Sequence, residues 1–498
     1  MNMDILIRIV QLIASLCLLV VLHEFGHFTF ARLFGVRVEK FYMFFNYKFS
    51  LLRAKKIGGK WRLRFFAKNV EEPVVEQTDA NGGVVLDDKG EPVFRLMTDD
   101  ELNALPSDDW RRYPESTEWG IGWIPLGGYC SICGMVDETK DASQLQAVAQ
   151  PWEYRSQAIW KRMLIITGGV LFNLLGAMVI YGAMLSHWGE EYLPMENADY
   201  GEQYSEVMLR HGFEHGDKIV AVNGVLPENA QQTHNMILID GNQRITVVRA
   251  GDTLDILLPD DFTNEVIASQ SGALFDFRFP FVCREAVSGD NAERAGMQAG
   301  DSVVALDGVA MCAFQDVSQY IHDHAGDTIA FSVARGQDKV ELMIPASDNG
   351  LIGVYPFEPG HFLTTRTKHY NFFTAIPAGI SKGWGTLVSY VKQMKYVFSS
   401  EGVKQVGGFG TIGKLFPAFW DWQAFWSMTA FLSVILAFMN ILPIPVLDGG
   451  YLLFLIYEMV TRRKPSDKFM ERASSIGFIL LLALMIYANL NDIIKFLF

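Results

Sequence analysis

The stretch His23-Glu24-Phe25-Gly26-His27 lies inside an otherwise apolar N-terminal segment and guides the interpretation of the whole chain. Two histidines four residues apart lie on one face of a helix, so both imidazoles can bind the same zinc ion. The glutamate between them can then deprotonate a water on that ion. Ionisable groups inside a membrane span cost about 2.5–3.5 kcal/mol each, so they persist mainly where they have a partner and a task. The pattern therefore favours a metal site over a polar patch that lines a helix bundle.

The composition indicates membrane segments and soluble modules in one chain. Of 498 residues, 50% are hydrophobic, which is too apolar for an ordinary soluble enzyme, and 20% are charged, which is too many for spanning helices alone. Four stretches are long and apolar enough to cross a bilayer, namely 9–31, 163–186, 425–446 and 476–498. The first has no small-residue cleavage site after its apolar core, so we expect it to be retained. The predicted fold class is a polytopic membrane protein with an α-helical transmembrane bundle of about four spans.

The distribution of charge predicts the orientation of these spans. Ten basic residues follow the first span between Arg32 and Arg64, and five precede the last span between Arg462 and Arg472. Basic loops stay on the cytoplasmic side, so both termini should lie outside. The segment 187–370 holds 28 Asp and Glu against 11 Lys and Arg, which accounts for the chain's net charge of −14. Such an acidic segment fits an exported domain and argues against nucleic-acid binding.

An internal repeat occupies this acidic segment. Residues 212–225 align without a gap to residues 296–309, at an offset of 84 residues. Each copy predicts a Gly-Asp turn, a buried strand (219–222 or 303–306) and an Asn-Gly or Asp-Gly tight turn.

This pattern resembles PDZ domains, and the segment 291–296 (Asn-Ala-Glu-Arg-Ala-Gly) before the second copy strengthens the resemblance. PDZ domains hold an extended peptide as an added strand on a sheet edge. The resemblance implies two inserted PDZ-like domains of mixed α/β structure, over 200–270 and 271–357, which bind peptide ends or the product of an upstream protease. A pair of β-rich spacers with blocked grooves is the alternative. Cys283 and Cys312 fall in this exported region, where they can pair or remain free.

A third metal ligand is expected at Asp448. Two histidines and a water leave one protein ligand to find, usually a carboxylate or another histidine. Asp448 follows the third apolar stretch and the prolines 443 and 445, and it precedes Gly449 and Gly450. The prolines free backbone groups and the glycines allow close approach of chains. Irregular backbone at membrane depth is tolerated only where it is buried or lines a cavity, so a ligand is favoured over a cap or turn residue.

Taken together, the motifs resemble the site-two protease family, and in particular its bacterial branch with periplasmic PDZ domains, the regulator-of-sigma-E protease type. Four elements occur in the family's order: the histidine pair, the segment 124–129 (Ile-Pro-Leu-Gly-Gly-Tyr), the tandem repeat, and the motif from Asn440 to Gly449. The resemblance covers nearly all of the chain apart from an insertion near 69–118.

The resemblance implies an intramembrane zinc metalloprotease that cleaves transmembrane segments of single-span membrane proteins. Its substrates would be anti-sigma factors already trimmed by another protease, or remnants of signal peptides. The chain would be a multi-pass protein in the lipid bilayer of the cell inner membrane. Its PDZ-like domains would lie in the periplasm, and its active site would lie near the cytoplasmic side.

The same resemblance implies roles for individual residues. His23, His27 and Asp448 would hold Zn²⁺, and Glu24 would be the catalytic base. The residues implied to contact or surround the substrate are Gly127, Gly128 and Tyr129 of a re-entrant β-loop, Asn173 near the active site, and Asn440 against the substrate backbone.

The other domain boundaries follow from these elements. They are the first span with the histidine motif at 1–68, an acidic cytoplasmic insertion at 69–118, the β-loop and second span at 119–186, a membrane-adjacent helical segment at 358–424, and the last two spans at 425–498. The glycine-rich stretch 407–413 lacks the proline that the family often has there, which leaves its role open.

Two other classes of protein stay open at this stage. A non-enzymatic membrane scaffold would use its PDZ domains to gather partners and would carry a vestigial metal motif. The intact histidine and Leu-Asp-Gly motifs argue against it, because a degenerate site would have lost a ligand. A metal transporter would need several intramembrane acids along a path, and the spans hold few.

Overall fold

Two compact units make up the chain. The computed structural model describes residues 3–69, 73–78, 83–85, 92–125, 127–135, 149–239, 243–269, 272–397, 399, 403–404 and 406–497. One unit, called here the membrane unit, comprises Met1–Trp188, Tyr370–Val391 and Val406–Phe498. The other, called here the repeat unit, comprises Gly189–His369 and Lys392–Gln405.

Thirteen α-helices are found among the described residues. They are α1 (Met3–Leu33), α2 (Asp99–Ala104), α3 (Ile159–His187), α4 (Glu206–Arg210), α5 (Ala230–Ile239), α6 (Phe262–Ser269), α7 (Asn291–Arg294), α8 (Phe314–Asp323), α9 (Phe372–Val397), α10 (Phe409–Lys414), α11 (Trp422–Ile441), α12 (Asp448–Thr461) and α13 (Asp467–Leu497). Four of them are long and apolar enough to cross a membrane, namely α1, α3, α11 and the 468–495 part of α13. Four spans were predicted, so their number is confirmed.

The third span is shorter than predicted. Helix α11 ends at Ile441 rather than at residue 446. Pro443 and Pro445 have no backbone N–H to continue the helical ladder, so the chain leaves the helix before them. Asp448 is therefore the first residue of a new helix, α12, and not the end of the span.

Twenty β-strands are found in the same described ranges. They are β1 (Val38–Met43), β2 (Phe49–Ile57), β3 (Lys60–Lys68), β4 (Val74–Glu76), β5 (Phe94–Leu96), β6 (Glu118–Ile121), β7 (Tyr129–Ile132), β8 (Glu190–Tyr192), β9 (Glu202–Tyr204), β10 (Lys218–Val222), β11 (Arg244–Arg249), β12 (Asp252–Leu257), β13 (Phe275–Phe277), β14 (Cys283–Ala286), β15 (Ser302–Leu306), β16 (Val309–Ala310), β17 (Thr328–Arg335), β18 (Asp338–Pro345), β19 (Val354–Pro356) and β20 (Arg366–Lys368).

A five-stranded sheet of order β3-β2-β6-β1-β7 belongs to the membrane unit. Strands β1 and β6 are parallel, and the other neighbours are antiparallel. Within the sheet, the guanidinium of Arg53 donates to both carboxylate oxygens of Glu118, at 3.1 and 2.6 Å. This ion pair is almost completely buried. In the predicted insertion, β4 and β5 form an antiparallel pair, while the turn at 86–90 lies outside the described residues.

The repeat unit contains two similar sheets. The first copy forms the sheet β10-β11-β12, and the second forms β16-β15-β17-β18. The predicted strands and turns of both copies are present, and Asn223 and Asp307 adopt φ values of 51° and 47° in their tight turns. Strand β8 pairs with β20, which extends the unit to residues 189–369. The predicted domains 200–270 and 271–357 both lie within this unit, and their individual bounds stay predictions.

Each copy contains the same ion pair between a buried aspartate and a partly exposed arginine. In the first, Nε and Nη2 of Arg249 donate to the two oxygens of Asp217, both at 2.7 Å. In the second, Arg335 donates in the same way to Asp301, also at 2.7 Å for both bonds. The arginines also donate to the carbonyl oxygens of the glycines 212 and 296. Each pair therefore ties the repeat's Gly-Asp turn to its sheet.

The two cysteines of the repeat unit do not form a disulfide. Cys283 is buried and Cys312 is exposed, and both are free thiols. Of the two outcomes left open by the sequence, the structure therefore shows the free form.

Candidate metal centre

The close crossing of α1 and α3 creates the first half of the site. Gly26 of α1 lies against the backbone of Gly168, and a Cβ added at either glycine would overlap the other helix. A Cβ added at Gly169 would lie 2.6 Å from Nε2 of His27 and 2.6 Å from Nδ1 of His23. Small residues let membrane helices approach closely. The glycines of α3 therefore leave room for both imidazoles in the helix interface.

The three predicted ligands meet at one point. Nε2 of His23 lies 3.2 Å from Nε2 of His27 and 3.2 Å from Oδ2 of Asp448. Nε2 of His27 lies 3.5 Å from the same oxygen. For zinc–ligand bonds of about 2.0–2.2 Å in a tetrahedron, neighbouring ligand atoms are about 3.3–3.6 Å apart. The observed triangle has the dimensions of three corners of such a tetrahedron.

A hydrogen bond fixes the tautomer of His27. Its Nδ1 lies 2.9 Å from the carbonyl oxygen of Ile165 on α3. A carbonyl oxygen only accepts, so Nδ1 carries the hydrogen and Nε2 of the neutral ring carries a lone pair. Metal-binding histidines almost always have their second nitrogen held in this way.

Asn173, which like Ile165 lies on α3, contacts His23. Its side-chain amide lies 3.3 Å from Nδ1 of His23, and its Oδ1 is buried without another hydrogen-bond partner. Rotation of the amide exchanges its nitrogen and oxygen, so Oδ1 can accept from Nδ1–H of His23. The backbone carbonyl of Asn173 in turn accepts from Ser433 on α11 at 2.7 Å. The predicted proximity of Asn173 to the site is therefore observed, with His23 as its neighbour.

Asp448 reaches the histidines through a strained turn. Val446 has φ of 95°, a value that a β-branched residue rarely adopts. A Cβ at Gly449 would overlap the carbonyls of Ile441 and Leu442, which explains the glycine there. Oδ2 of Asp448 is buried and has no hydrogen-bond donor in the described part of the chain.

A divalent cation fits this set of atoms. Nε2 of His27 carries a lone pair, and Nε2 of His23 also carries one when Oδ1 of Asn173 accepts from its Nδ1–H. Both Nε2 atoms lie within 3.5 Å of Oδ2 of Asp448. A buried carboxylate without a compensating partner is costly. The mixture of two imidazoles and one carboxylate is typical of catalytic zinc sites, which keep a fourth position open. Glu24 is half-buried on α1, between the two histidines in sequence.

The predicted substrate-binding residues lie at the edge of the five-stranded sheet. Strand β7 pairs with β1 and is the last strand in the order of the five-stranded sheet. Gly127 and Gly128 lead into it, and a Cβ at Gly128 would lie 3.3 Å from Cγ1 of Val20, one helical turn before His23. Tyr129 stacks on Tyr42 with ring centroids 5.3 Å apart. The edge of β7 therefore runs close to the helix that carries the histidines.

The remaining predicted positions have distinct surroundings. Asn440 is half-buried in the last turn of α11. The glycine-rich stretch 407–413 is bound to the last helix by side chains of α13, since Asp492 accepts from the backbone N–H of Thr411 at 2.9 Å and Asn489 accepts from that of Phe409 at 3.3 Å. The stretch therefore has a structural role in anchoring α10.

Sequence reasoning missed several residues that shape the site. Ile165 acts through its backbone carbonyl, which every residue type has, so the sequence gives no sign of this role. Gly169 could have been found, because it stands one helical turn before Asn173 in a chain segment already expected near the site. The pair Arg162 and Glu458 on α3 and α12 was also missed, since nothing local connects residues so far apart in sequence.

Comparisons with known proteins identify the family. The sequence profile of peptidase family M50 matches residues 11–87 and 109–484. A Vibrio cholerae protein named as a zinc metalloprotease is 29% identical over 520 residues, covering 98% of this chain and 99% of the relative. "Protease RseP" of Yersinia pestis and "Regulator of sigma-E protease RseP" of Salmonella typhimurium are each 25% identical, over 98% of this chain and 99% of their own length. The unmatched residues 88–108 fall inside the predicted insertion.

Proposed function

Because the chain belongs to peptidase family M50, it is an intramembrane zinc metalloprotease, and we propose that His23, His27 and Asp448 hold its zinc ion while Glu24 is the catalytic base. The observation that carries the assignment is the convergence of three possible ligand atoms within 3.2–3.5 Å of one another. No other group of three such ligands was found in the described residues.

The reaction requires that a peptide bond, a water molecule and a base meet in the bundle. A bound zinc ion polarises the peptide carbonyl and lowers the pKa of water towards about 7. Glu24 takes the proton from the attacking water and delivers it to the nitrogen of the leaving amine. Ile165 keeps His27 in the tautomer that binds a cation through Nε2. Asn173 does the same for His23 when its amide is turned so that Oδ1 faces Nδ1.

We propose that the β-loop that leads into β7 holds the substrate in extended form. A helical peptide shields its carbonyls in internal hydrogen bonds, so a transmembrane segment must unwind before it can be cleaved. Adding the segment as a strand replaces helix hydrogen bonds with sheet hydrogen bonds. Gly128 lies beside Val20 of α1, which supports a path for such a strand past the histidines. Asn440 would contact the backbone of the same segment.

The substrate class we propose is the single-span membrane protein. Relatives of similar length are named as regulators of sigma E, which supports a pre-trimmed anti-sigma factor as one substrate. Remnants of signal peptides have the same chemistry, an apolar helix with a short polar flank. In this proposal the chain lies in the inner membrane, with the repeat unit in the periplasm and the metal centre towards the cytoplasm, as the basic loops indicate.

The repeat unit would act as a pair of PDZ-like domains that exclude untrimmed substrates. The repeated strands, turns and ion pairs support two copies of one fold. A substrate with its exported portion intact should resist cleavage, and the trimmed form should be cut. Asp217→Asn with Asp301→Asn, which loosens both copies, should then admit the intact form. Equal cleavage of intact and trimmed substrates by the unmodified protein would contradict the proposal that the repeat unit excludes untrimmed substrates.

Zinc content and a base-deficient variant test the central assignment. The purified protein should contain one zinc ion per chain. Glu24→Gln should retain that zinc and the fold but cut about 10²–10⁴-fold more slowly, because it cannot accept a proton. Membranes that contain the variant should accumulate uncut substrate, which identifies the substrate by mass spectrometry. A scaffold would bind no zinc, and its membranes would not change with Glu24→Gln.

A further inference from the structure

One face of α3 contacts all the other ligand-bearing parts of the site. The residues involved are Arg162, Ile165, Gly169 and Asn173, which recur at intervals of three and four and so share a face. Ile165 and Asn173 hold the two histidines, and Gly169 packs against both rings. Arg162, two turns before Gly169, contacts the helix that carries Asp448.

The contact between Arg162 and α12 is a buried ion pair with two hydrogen bonds. Nη1 and Nη2 of Arg162 donate to the two carboxylate oxygens of Glu458, at 3.1 and 2.7 Å. The side chains are only 8% and 12% exposed. Nε of Arg162 donates to the carbonyl of Gln157 at 3.2 Å, so the guanidinium itself is held in place. Such a planar fork fixes direction as well as distance.

Helix α12 connects this ion pair rigidly to the metal centre. Asp448 is its first residue and Glu458 its eleventh, a separation of about 15 Å along the axis. Leu455 lies between them and packs with Ile165, Ile166 and Tyr154 in one hydrophobic cluster. Before Asp448 the chain runs through the turn at 442–447, which packs closely against Gly449 and Gly450 at the start of α12. This turn holds the first residues of α12, and contacts farther along the helix hold it against α3.

We propose that Arg162 and Glu458 form a positioning pair that sets the register of α12 against α3 and thereby places Asp448 at the histidines. The inference rests on the proposed role of Asp448 as a zinc ligand. Apolar packing along a helix does little to distinguish one register from the next, whereas a buried fork accepts a single one. A buried ion pair contributes little net stability compared with apolar residues of the same shape, and its best-attested use is to specify register.

The pair therefore acts on the metal centre through Asp448 without touching the metal. A shift of α12 moves the carboxylate away from both imidazoles and leaves a site with two ligands. Loss of the pair is expected to weaken zinc binding by about 10–100-fold, the range typical of residues that support metal ligands.

The test measures zinc affinity and cobalt spectra of four variants of the full-length protein in detergent. Glu458→Gln removes the charge, and Arg162→Lys keeps the charge but loses the fork. The exchange Arg162→Glu with Glu458→Arg restores a pair of opposite polarity. Glu118→Gln is the matched control, because it breaks an equally buried Arg–Glu pair with two hydrogen bonds in the sheet of the same unit. Zinc affinity is measured by competition with a chelating dye, and the visible absorption of bound Co²⁺ reports coordination geometry.

The expected result separates positioning from general stability. Glu458→Gln and Arg162→Lys should raise the zinc dissociation constant about 10–100-fold and change the Co²⁺ absorption bands. The exchange should recover much of the affinity and the original spectrum. Glu118→Gln should lower thermal stability with zinc affinity and Co²⁺ spectrum unchanged.

Two outcomes would overturn the inference, and each differs from a failure of the proposed function. One is unchanged zinc affinity and Co²⁺ spectrum in Glu458→Gln and Arg162→Lys. The other is an equal loss of affinity in Glu118→Gln, which would make the effect one of stability. By contrast, if the unmodified protein bound no zinc with the three ligands, the proposed function itself would fail.

Discussion

Buried aspartates occur in both units, and they have opposite surroundings. In the repeat unit, Asp217 and Asp301 are 1% and 0% exposed, and an arginine donates two hydrogen bonds to each. In the membrane unit, Oδ2 of Asp448 lies 3.2 and 3.5 Å from the Nε2 atoms of two histidines. An aspartate paired with a guanidinium is complete as it stands, whereas one that faces two imidazoles at ligand distance can share a cation with them. Burial alone therefore does not distinguish a structural carboxylate from a functional one; its partners do.

The largest expected effect is the loss of metal from Asp448→Asn. Removing a ligand should weaken zinc binding by more than the factor of about 100 that marks the upper range for supporting residues. Cleavage should fall below detection, and folding should be retained because no arginine is left unpaired. Zinc content by atomic absorption and cleavage of a single-span substrate measure the two effects. Asp301→Asn, which changes a buried aspartate of the repeat unit, is the control, and this variant should contain as much zinc as the unmodified protein. Full zinc content in Asp448→Asn would show that Asp448 is not a zinc ligand and does not differ in role from the buried aspartates of the repeat unit.

Breaking an ion pair of the repeat unit should have the converse effect. Arg335→Met leaves the carboxylate of Asp301 without its guanidinium partner, which should destabilise the repeat unit. Zinc content should not change. The loss of stability is measured by chemical denaturation, with limited proteolysis used to detect unfolding of the repeat unit. The same substitution in the first copy, Arg249→Met, should cost a similar amount, and a negligible effect in both copies would show that these pairs do not hold their turns.

A difference between the two copies should appear as a pH dependence. Glu202 and Cys283 occupy equivalent places, since the N–H of each donates to the carbonyl of its copy's buried aspartate, at 2.9 and 2.8 Å. Burial raises the pKa of Glu202 to about 8, although it accepts hydrogen bonds from the N–H of Ile219 and the hydroxyl of Tyr204. A carboxyl whose pKa is raised on folding stabilises the fold below its unfolded pKa, near 4.3, and this contribution is lost as pH rises through the folded value.

The first copy should therefore lose about 2–4 kcal/mol of stability between pH 4 and pH 9 through Glu202. Glu202→Gln should make the stability of this copy much less dependent on pH. Denaturation curves of the full-length protein at several pH values, with proteolytic fragments assigned to each copy, measure the slope. The second copy provides the internal reference, because Cys283 is uncharged over most of that range. An identical slope in Glu202→Gln would exclude Glu202 as its source.

The sequence predicted local features of both units better than contacts between residues that are far apart in the chain. The histidine pair, the glycines 449 and 450 and the Asn-Gly and Asp-Gly turns follow from spacing and backbone chemistry within a few residues. The third ligand could be predicted because irregular backbone at membrane depth is rare. Arg249 and Arg335 could not, because they are 86 residues apart while the aspartates are 84 apart, so the ungapped alignment does not reach them. The contact between Arg162 and Glu458 spans 296 residues and has no local signal.

The smallest expected effect compares the tight turns of the two copies. Gly224 and Gly308 have φ of 76° and 78°, and a Cβ at either would meet no atom within 4 Å. Substitution by alanine therefore adds backbone strain without a clash, and each should cost about 1–2 kcal/mol. Because the turns match so closely, Gly224→Ala and Gly308→Ala should destabilise their own copies equally, as thermal denaturation would show. A larger loss of stability in one copy would mean that its turn makes a contact that the other turn lacks. The two copies would then be equivalent in their strands but not in their turns.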